Sequence, residues 1–280
     1  MAVNTSTNKY KKSKLILMLQ LLKIEWMKVK NYRTFWVLSV LYLISLFGAN
    51  YVAHLINDAR PKKNNMTDML LGNPPFEFPD VWSTISYISS FLLFIPGLLM
   101  IISFTNEYSY KTHRQNIIDG WSRMEFITVK IMLAFILAIV STISVFITAL
   151  LFGLAENASN FTFDKVENIG YFFVQALSYS SVALLFSLLF KRSGIAIGVF
   201  FLYISFIENM LSGLLNKYAN NIGRYLPLET TDNLIPFPFL RNIVGQFLPT
   251  YNVPLLLTMS AVYLALYYFI SIEKFRTDDL

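Results

Sequence analysis

Few residues in this 280-residue chain could do chemistry, and their spacing keeps them apart. There is no cysteine, which removes disulfides, thiolate metal sites and thiol nucleophiles. The two histidines, His54 and His113, are separated by a long apolar run that places them on opposite sides of a membrane, so they cannot share a metal or a catalytic dyad. No Gly-x-x-x-x-Gly-Lys-Ser/Thr phosphate loop occurs among the eleven glycines. His-Glu-x-x-His and Gly-x-Ser-x-Gly are also missing, so a protease, metalloenzyme or lipid hydrolase has no visible machinery. No catalytic, cofactor-binding or metal residues are therefore assigned. What stands out is polarity inside apolar runs: Glu208-Asn209 in one and Gln175 in another. A charge in hydrocarbon is expensive and normally faces a bundle interior or water. Two readings of Glu208 stand. It lines a translocation pathway with Asn209 and Gln175, or its helix ends at Ile207 and it sits at the outer interface.

The elements that must position these residues are membrane spans. The chain is 55% hydrophobic and 14% charged, against roughly 25% charged in soluble domains. A span needs about 20 mostly apolar residues. Six runs qualify: Thr34–Ile56, Ser83–Thr105, Phe126–Leu154, Ile169–Phe190, Gly194–Leu215 and Val253–Ile272. Pro96 is expected to kink the second. Gly194-x-x-x-Gly198 is a small-residue pair suited to close helix approach. This predicts an all-α integral membrane protein of six transmembrane helices, one permease-like domain over residues 1–280.

The net charge of +6 is arranged around these runs. Basic residues crowd the N-terminal segment, the second and fourth loops and the tail, whereas the other loops are poorer in them. The richer side is cytoplasmic by the positive-inside rule, which puts both termini inside. Basic residues flanking apolar runs orient a membrane protein and leave no face for nucleic acid.

Two segments are read as non-spanning. Over residues 14–30, Leu15, Leu19, Leu22, Trp26 and Val29 recur at helical spacing, with Lys23, Glu25, Lys28 and Lys30 around them. That pattern predicts an amphipathic helix lying in the cytoplasmic interface against lipid. Residues 216–252, with Pro227, Pro236, Pro238 and Pro249, contain the apolar pieces Asn233–Leu240 and Ile243–Leu248, each too short to cross. They predict re-entrant or interfacial helices capping the outer side.

The loop 106–130 reads NEYSYKTHRQNIIDGWSRMEFITVK. Its first half predicts a short polar helix with Thr112, Gln115, Asn116 and Asp119 exposed, stopped by Gly120. Ser122 followed by Glu125 predicts a capping box opening the third span. The result is a cytoplasmic helical elbow.

At this elbow the sequence resembles permeases of the type-2 ABC exporter family. Their corresponding loop commonly carries an acidic residue, a Gly-Thr-like pair, an Arg, a Ser-Arg and a Lys entering the next span. Glu107, Thr112, Arg114, Ser122, Arg123 and Lys130 stand in those places here, and Lys111 stands where Gly is usual. The interfacial helix with Lys23, Glu25, Trp26 and Lys28, and Leu226-Pro227 before the last span, extend the resemblance. It implies a non-enzymatic permease subunit in the bacterial plasma membrane. Its partners would be two copies of a separate ATP-binding-cassette ATPase, which holds the ATP and Mg, and a second permease, identical or different. It implies that the elbow, with Glu107, Thr112, Arg114, Gly120, Ser122 and Arg123, couples to that ATPase. Export of a lipophilic, peptide or drug-like substrate is the expectation. A stand-alone secondary transporter or channel using Glu208 is the alternative.

Overall fold

The computed structural model describes residues 18, 20–58, 74–239 and 251–277. These residues are helical, with no strand among them. Residues 20–30 form α1. α2 (Arg33–Asp58), α3 (Val81–Ser90), α4 (Phe94–Ser109) and α5 (Thr112–Ile118) follow. Then come α6 (Arg123–Asn157), α7 (Glu167–Phe190), α8 (Ser193–Leu202), α9 (Glu208–Tyr218), α10 (Glu229–Asp232) and α11 (Val253–Thr277).

Four continuous helices of 24 to 26 residues (α2, α7, α8 joined to α9, and α11) and the longer α6 are apolar enough to cross a membrane. At about 1.5 Å per residue even the shortest exceeds a hydrocarbon core of about 30 Å. The sixth span is broken: α3 and α4 meet at a 46° bend. Pro96 is the third residue of α4. It lacks an N–H, and its ring crowds the carbonyl four residues earlier, so the α-helical ladder cannot run through it. The chain answers with three-residue bonds, Leu92 and Leu93 donating to Ser89 and Ser90, and the bend falls at residues 91–93. The kink thus lies one turn before the proline that causes it.

α7 is the central element. Its apolar stretch is 72% buried, against 17% for α2 and for the α8–α9 span. Gly97 lets α4 meet α8, because a Cβ there would stand 2.4 Å from the buried ring of Phe200. Among the described residues, the Gly194-x-x-x-Gly198 pair does not serve this purpose. A Cβ at either position meets nothing within 4 Å.

One end of the bundle carries α1 and the α5 elbow, the elbow end. The other is the far end. There α9 reaches Tyr218, a 3-10 turn spans Ile222–Tyr225, and α10 folds back against α7 and α11. The Tyr263 hydroxyl donates to the Tyr225 carbonyl at 2.8 Å, and Ser260 bonds Thr230. This matches the capping segment expected before the last span. The piece Ile243–Leu248 lies outside the described residues, as do Leu15 and Leu19 of the N-terminal helix.

α1 meets the bundle through a face that includes a charged residue. Leu21, Glu25 and Val29 are buried, whereas Trp26 is 52% exposed. Trp26 instead meets the Trp36 ring edge-on at 6.3 Å. The face holding Lys23, Trp26 and Met27 is turned out of the bundle. A wholly apolar α1 face does not bind the protein because what it must satisfy there is a charge.

Candidate functional site

That charge is Lys130. It is 0% exposed, about two turns into α6, and its ammonium bonds Glu25 and Glu107, each at 2.5 Å. Lys28 closes the group at 2.8 Å from Glu25 and 3.1 Å from Glu107. Two carboxylates and two ammoniums, from α1, α4 and α6, form a neutral buried cluster. Isolated, each ion would carry a desolvation cost of several kcal/mol, which only such pairing offsets. For Glu25, burial alone would raise the carboxyl. The charges of Lys130 and then Lys28 outweigh it and hold the group below its ordinary 4.5. The cluster pins α1 to the base of the elbow. Lys28 also lies 5.5 Å from the centre of the Trp121 ring, at the elbow's far exit.

Above the cluster the elbow is built from local chemistry. Lys111, which the resemblance sets where Gly is usual, takes the left-handed conformation, φ 57°. Gly120, at φ 102°, ends the helix. Ser122 caps α6, and Glu125 returns the bond to the Ser122 backbone. His113 stacks on Tyr108 at 4.3 Å and its Nδ1 bonds the Glu107 carbonyl. Asn116, expected on the surface, is buried with His113 on the inner face. It sits there because the α5 helix turns that face onto the bundle, and its carbonyl accepts from Trp121. Arg123 donates to the Arg276 carbonyl at 2.7 Å, tying the elbow to the end of α11. The outward face presents Lys111, Arg114, Gln115 and Asp119 around Ile118, which is 77% exposed. Among the resemblance residues, Arg114 therefore lies on the projecting surface, Thr112 is half-buried, and Glu107 is buried beneath it.

The far-end polar residues separate. Glu208 is buried, and its Oε1 accepts from the backbone N–H of Leu228 at 2.5 Å and of Glu229 at 3.2 Å. It is not among the residues lining the large far-end cavity. The π-helical turn Tyr203–Ile207 sets its direction. Asn209, just past the widened turn, donates back to the Ile204 and Ser205 carbonyls. Asn209 and Gln175 do come together, on the wall of a cavity of about 1100 Å³ between α3, α4, α7, the α8–α9 span and α10. Gln175 donates to Asp232 at 2.8 Å, and the Tyr179 hydroxyl donates to both its oxygens. Asp232 was not singled out from the sequence. It sits in a polar stretch, Glu229–Asn233, whose return into the bundle no local pattern announces.

A six-span helical bundle, with a solvated elbow braced on buried charge and a large cavity at the other end, defines a multi-pass membrane protein of the transport class. The family described as ABC-2 family transporter protein matches residues 21–207, and the chain belongs to it. No curated protein matches the chain. Membership makes the chain a membrane component of an ABC transporter, and the family implies association with an ABC ATPase subunit. The match begins within α1 and ends at the π turn, so it includes the whole charge cluster and the elbow.

Proposed function

We propose that this chain is the permease subunit of an ABC exporter, that the elbow end is cytoplasmic, and that α5 docks into a cleft of a separate ATPase. The observation that carries this reading is the elbow's construction. A short helix projects an apolar side chain, Ile118, with Arg114 beside it, while its base is fixed to three other helices by the Glu25–Lys28–Glu107–Lys130 cluster. Exposed anchors of this kind are typical interface hot spots. A push on α5 would pass to α4 and α6 as one rigid body, the simplest route from ATPase closure to reorientation of the spans. The ATP and Mg belong to that partner. The sparsely buried α2 and α8–α9 faces supply room for lipid and for a second permease. Both termini are then inside, as the basic loops require.

The chain's lack of cysteine supplies the test. Ile118→Cys, treated with a thiol–amine crosslinker in native membranes, is expected to capture the ATPase, and Ile143→Cys on the exposed mid-span face of α6 is expected not to. Capture from neither position, or equally from both, would contradict docking at the elbow.

A further inference from the structure

The far-end cavity has a chemical character that the permease reading does not require. Its volume of about 1100 Å³ lies just above the range of about 300–1,000 Å³ for small-molecule sites. Aromatic rings line it, among them Tyr87, Phe91, Phe94 and Tyr171. Among the described residues, its charged side chains are three carboxylates and one ammonium. Asp232 is enclosed by protein yet reachable from the cavity, and no basic side chain among the described residues pairs with it. Glu229 and Glu167 line the same space. Among the described residues the one cation on the wall, Lys165, is committed to Asp80 at 2.6 Å. Two neutral acceptors add to this. Gln175 is 2% exposed and Asn168 4%, and both line the cavity. The amide nitrogen of Gln175 is held by Asp232, and that of Asn168 by the Lys165 carbonyl at 2.8 Å. These bonds fix which end of each amide is which. Among the described residues, Gln175 Oε1 and Asn168 Oδ1 are left buried with no hydrogen-bond partner. Unmatched buried acceptors cost free energy unless something donates to them or brings positive charge near.

We propose that this cavity recognises hydrophobic organic cations, with the Asp232 carboxylate reading the charge, the buried Gln175 and Asn168 oxygens adding negative potential behind the wall, and the aromatic wall taking the apolar body. Aromatic faces and a single carboxylate in a poorly hydrated space are the usual means of holding a diffuse cation. An inorganic ion would need several converging oxygens, and a small hydrated cation gains nothing from rings. The assignment rests on the permease reading for its place in a transport cycle, but binding itself needs neither ATP nor a partner.

Tetraphenylphosphonium and tetraphenylborate share size and shape and differ in sign, so they separate charge recognition from greasiness. Both are to be titrated by equilibrium dialysis into the intact protein in lipid nanodiscs, with empty nanodiscs subtracted. The expected result is saturable binding of tetraphenylphosphonium, weakened about tenfold or more in Asp232→Asn, with no saturable tetraphenylborate binding. Burial pushes the Asp232 carboxyl up to about 7, opposed by its bonds from Gln175 and Tyr179 and aided by Glu208 and Glu229. The wild type should therefore lose the cation as pH falls through that value, a readout independent of whether Asp232→Asn folds. Tetraphenylborate bound as well as the cation, or cation binding indifferent both to Asp232→Asn and to pH, would overturn the proposal. Neither result touches the elbow, so docking of the ATPase stands or falls separately.

Discussion

Lys130 shows most clearly what a single residue does in this protein. Its ammonium is removed from water at the mouth of a membrane span and depends on Glu25 and Glu107 for compensation. Lys130→Met would leave two carboxylates facing one half-exposed lysine. Breaking one partner of a buried ion group typically costs about 3–5 kcal/mol, and a large fall in the thermal unfolding temperature in detergent is the expected measurement. Adding Glu25→Gln and Glu107→Gln to Lys130→Met should recover much of that loss, because the uncompensated charges go with it. For Glu25 the carboxyl lies below 4.5 when folded. Its stabilising contribution is then full at neutral pH, starts to be lost below the unfolded value, and vanishes once pH falls through the folded one. Protection of α1 against proteolysis should therefore drop only under strongly acid conditions. Some of this was legible in the sequence and some was not. The Ser122–Glu125 capping box could be read because its partners are three residues apart. Glu25 and Lys130 are 105 positions apart, and only the fold joins them. The signals available were one lysine at the start of an apolar run and one acid in a basic helix. Glu208 was visible as an anomaly, but its role in holding the backbone of the returning segment was not. Glu208→Ala should expose two buried donors and cost about 1–3 kcal/mol, while Glu208→Gln should cost less.

At the scale of elements, the six spans could be read because an uninterrupted apolar run of span length has few other uses. Their edges extended by a few residues wherever a cap or a polar last turn prolonged the helix, as at Arg123 and Thr277. The break in the second span was less legible. Pro96 announces it, but the turn forms where three-residue bonds can close, at residues 91–93. The elbow's turn was uncertain in the sequence because lysine stands where a left-handed residue is needed. That conformation costs a non-glycine residue about 1–2 kcal/mol, so Lys111→Gly should raise stability slightly without altering docking of α5. The far-end return depends on Gly223 in the same strict way. A Cβ there would lie 2.2 Å from the Ser212 carbonyl oxygen, which is backbone and cannot step aside. Gly223→Ala should loosen the 3-10 turn from α9, increase proteolysis of the far-end segment, and leave the elbow intact.

At the scale of the whole molecule, the two ends of the bundle have different work. The elbow end holds a neutral, rigid charge cluster beneath a projecting helix, suited to receiving force. The far end holds an open, acceptor-rich cavity closed on one side by a segment that folds back. α7 runs between them, carrying Gln175 and Tyr179 at the cavity and packing on α4, α6 and α11 along its length. A tilt imposed through α4 and α6 would reach the cavity through α7 without any special pathway. The composition announced the membrane and the loops announced an orientation. The cavity could not be read from composition, because its acid comes from a segment outside the spans.

The central claim is that this permease works on a separate ATPase engaged at α5. Its most direct test is to solubilise tagged protein from native membranes in mild detergent and identify the co-purifying chains by mass spectrometry, beside the variant Ile118→Asp. We expect a phosphate-loop ATPase in stoichiometric amount with the wild type, lost with Ile118→Asp while the variant remains folded. Wild-type protein that purifies without any such ATPase, yet still moves substrate in proteoliposomes free of ATP, would contradict the account.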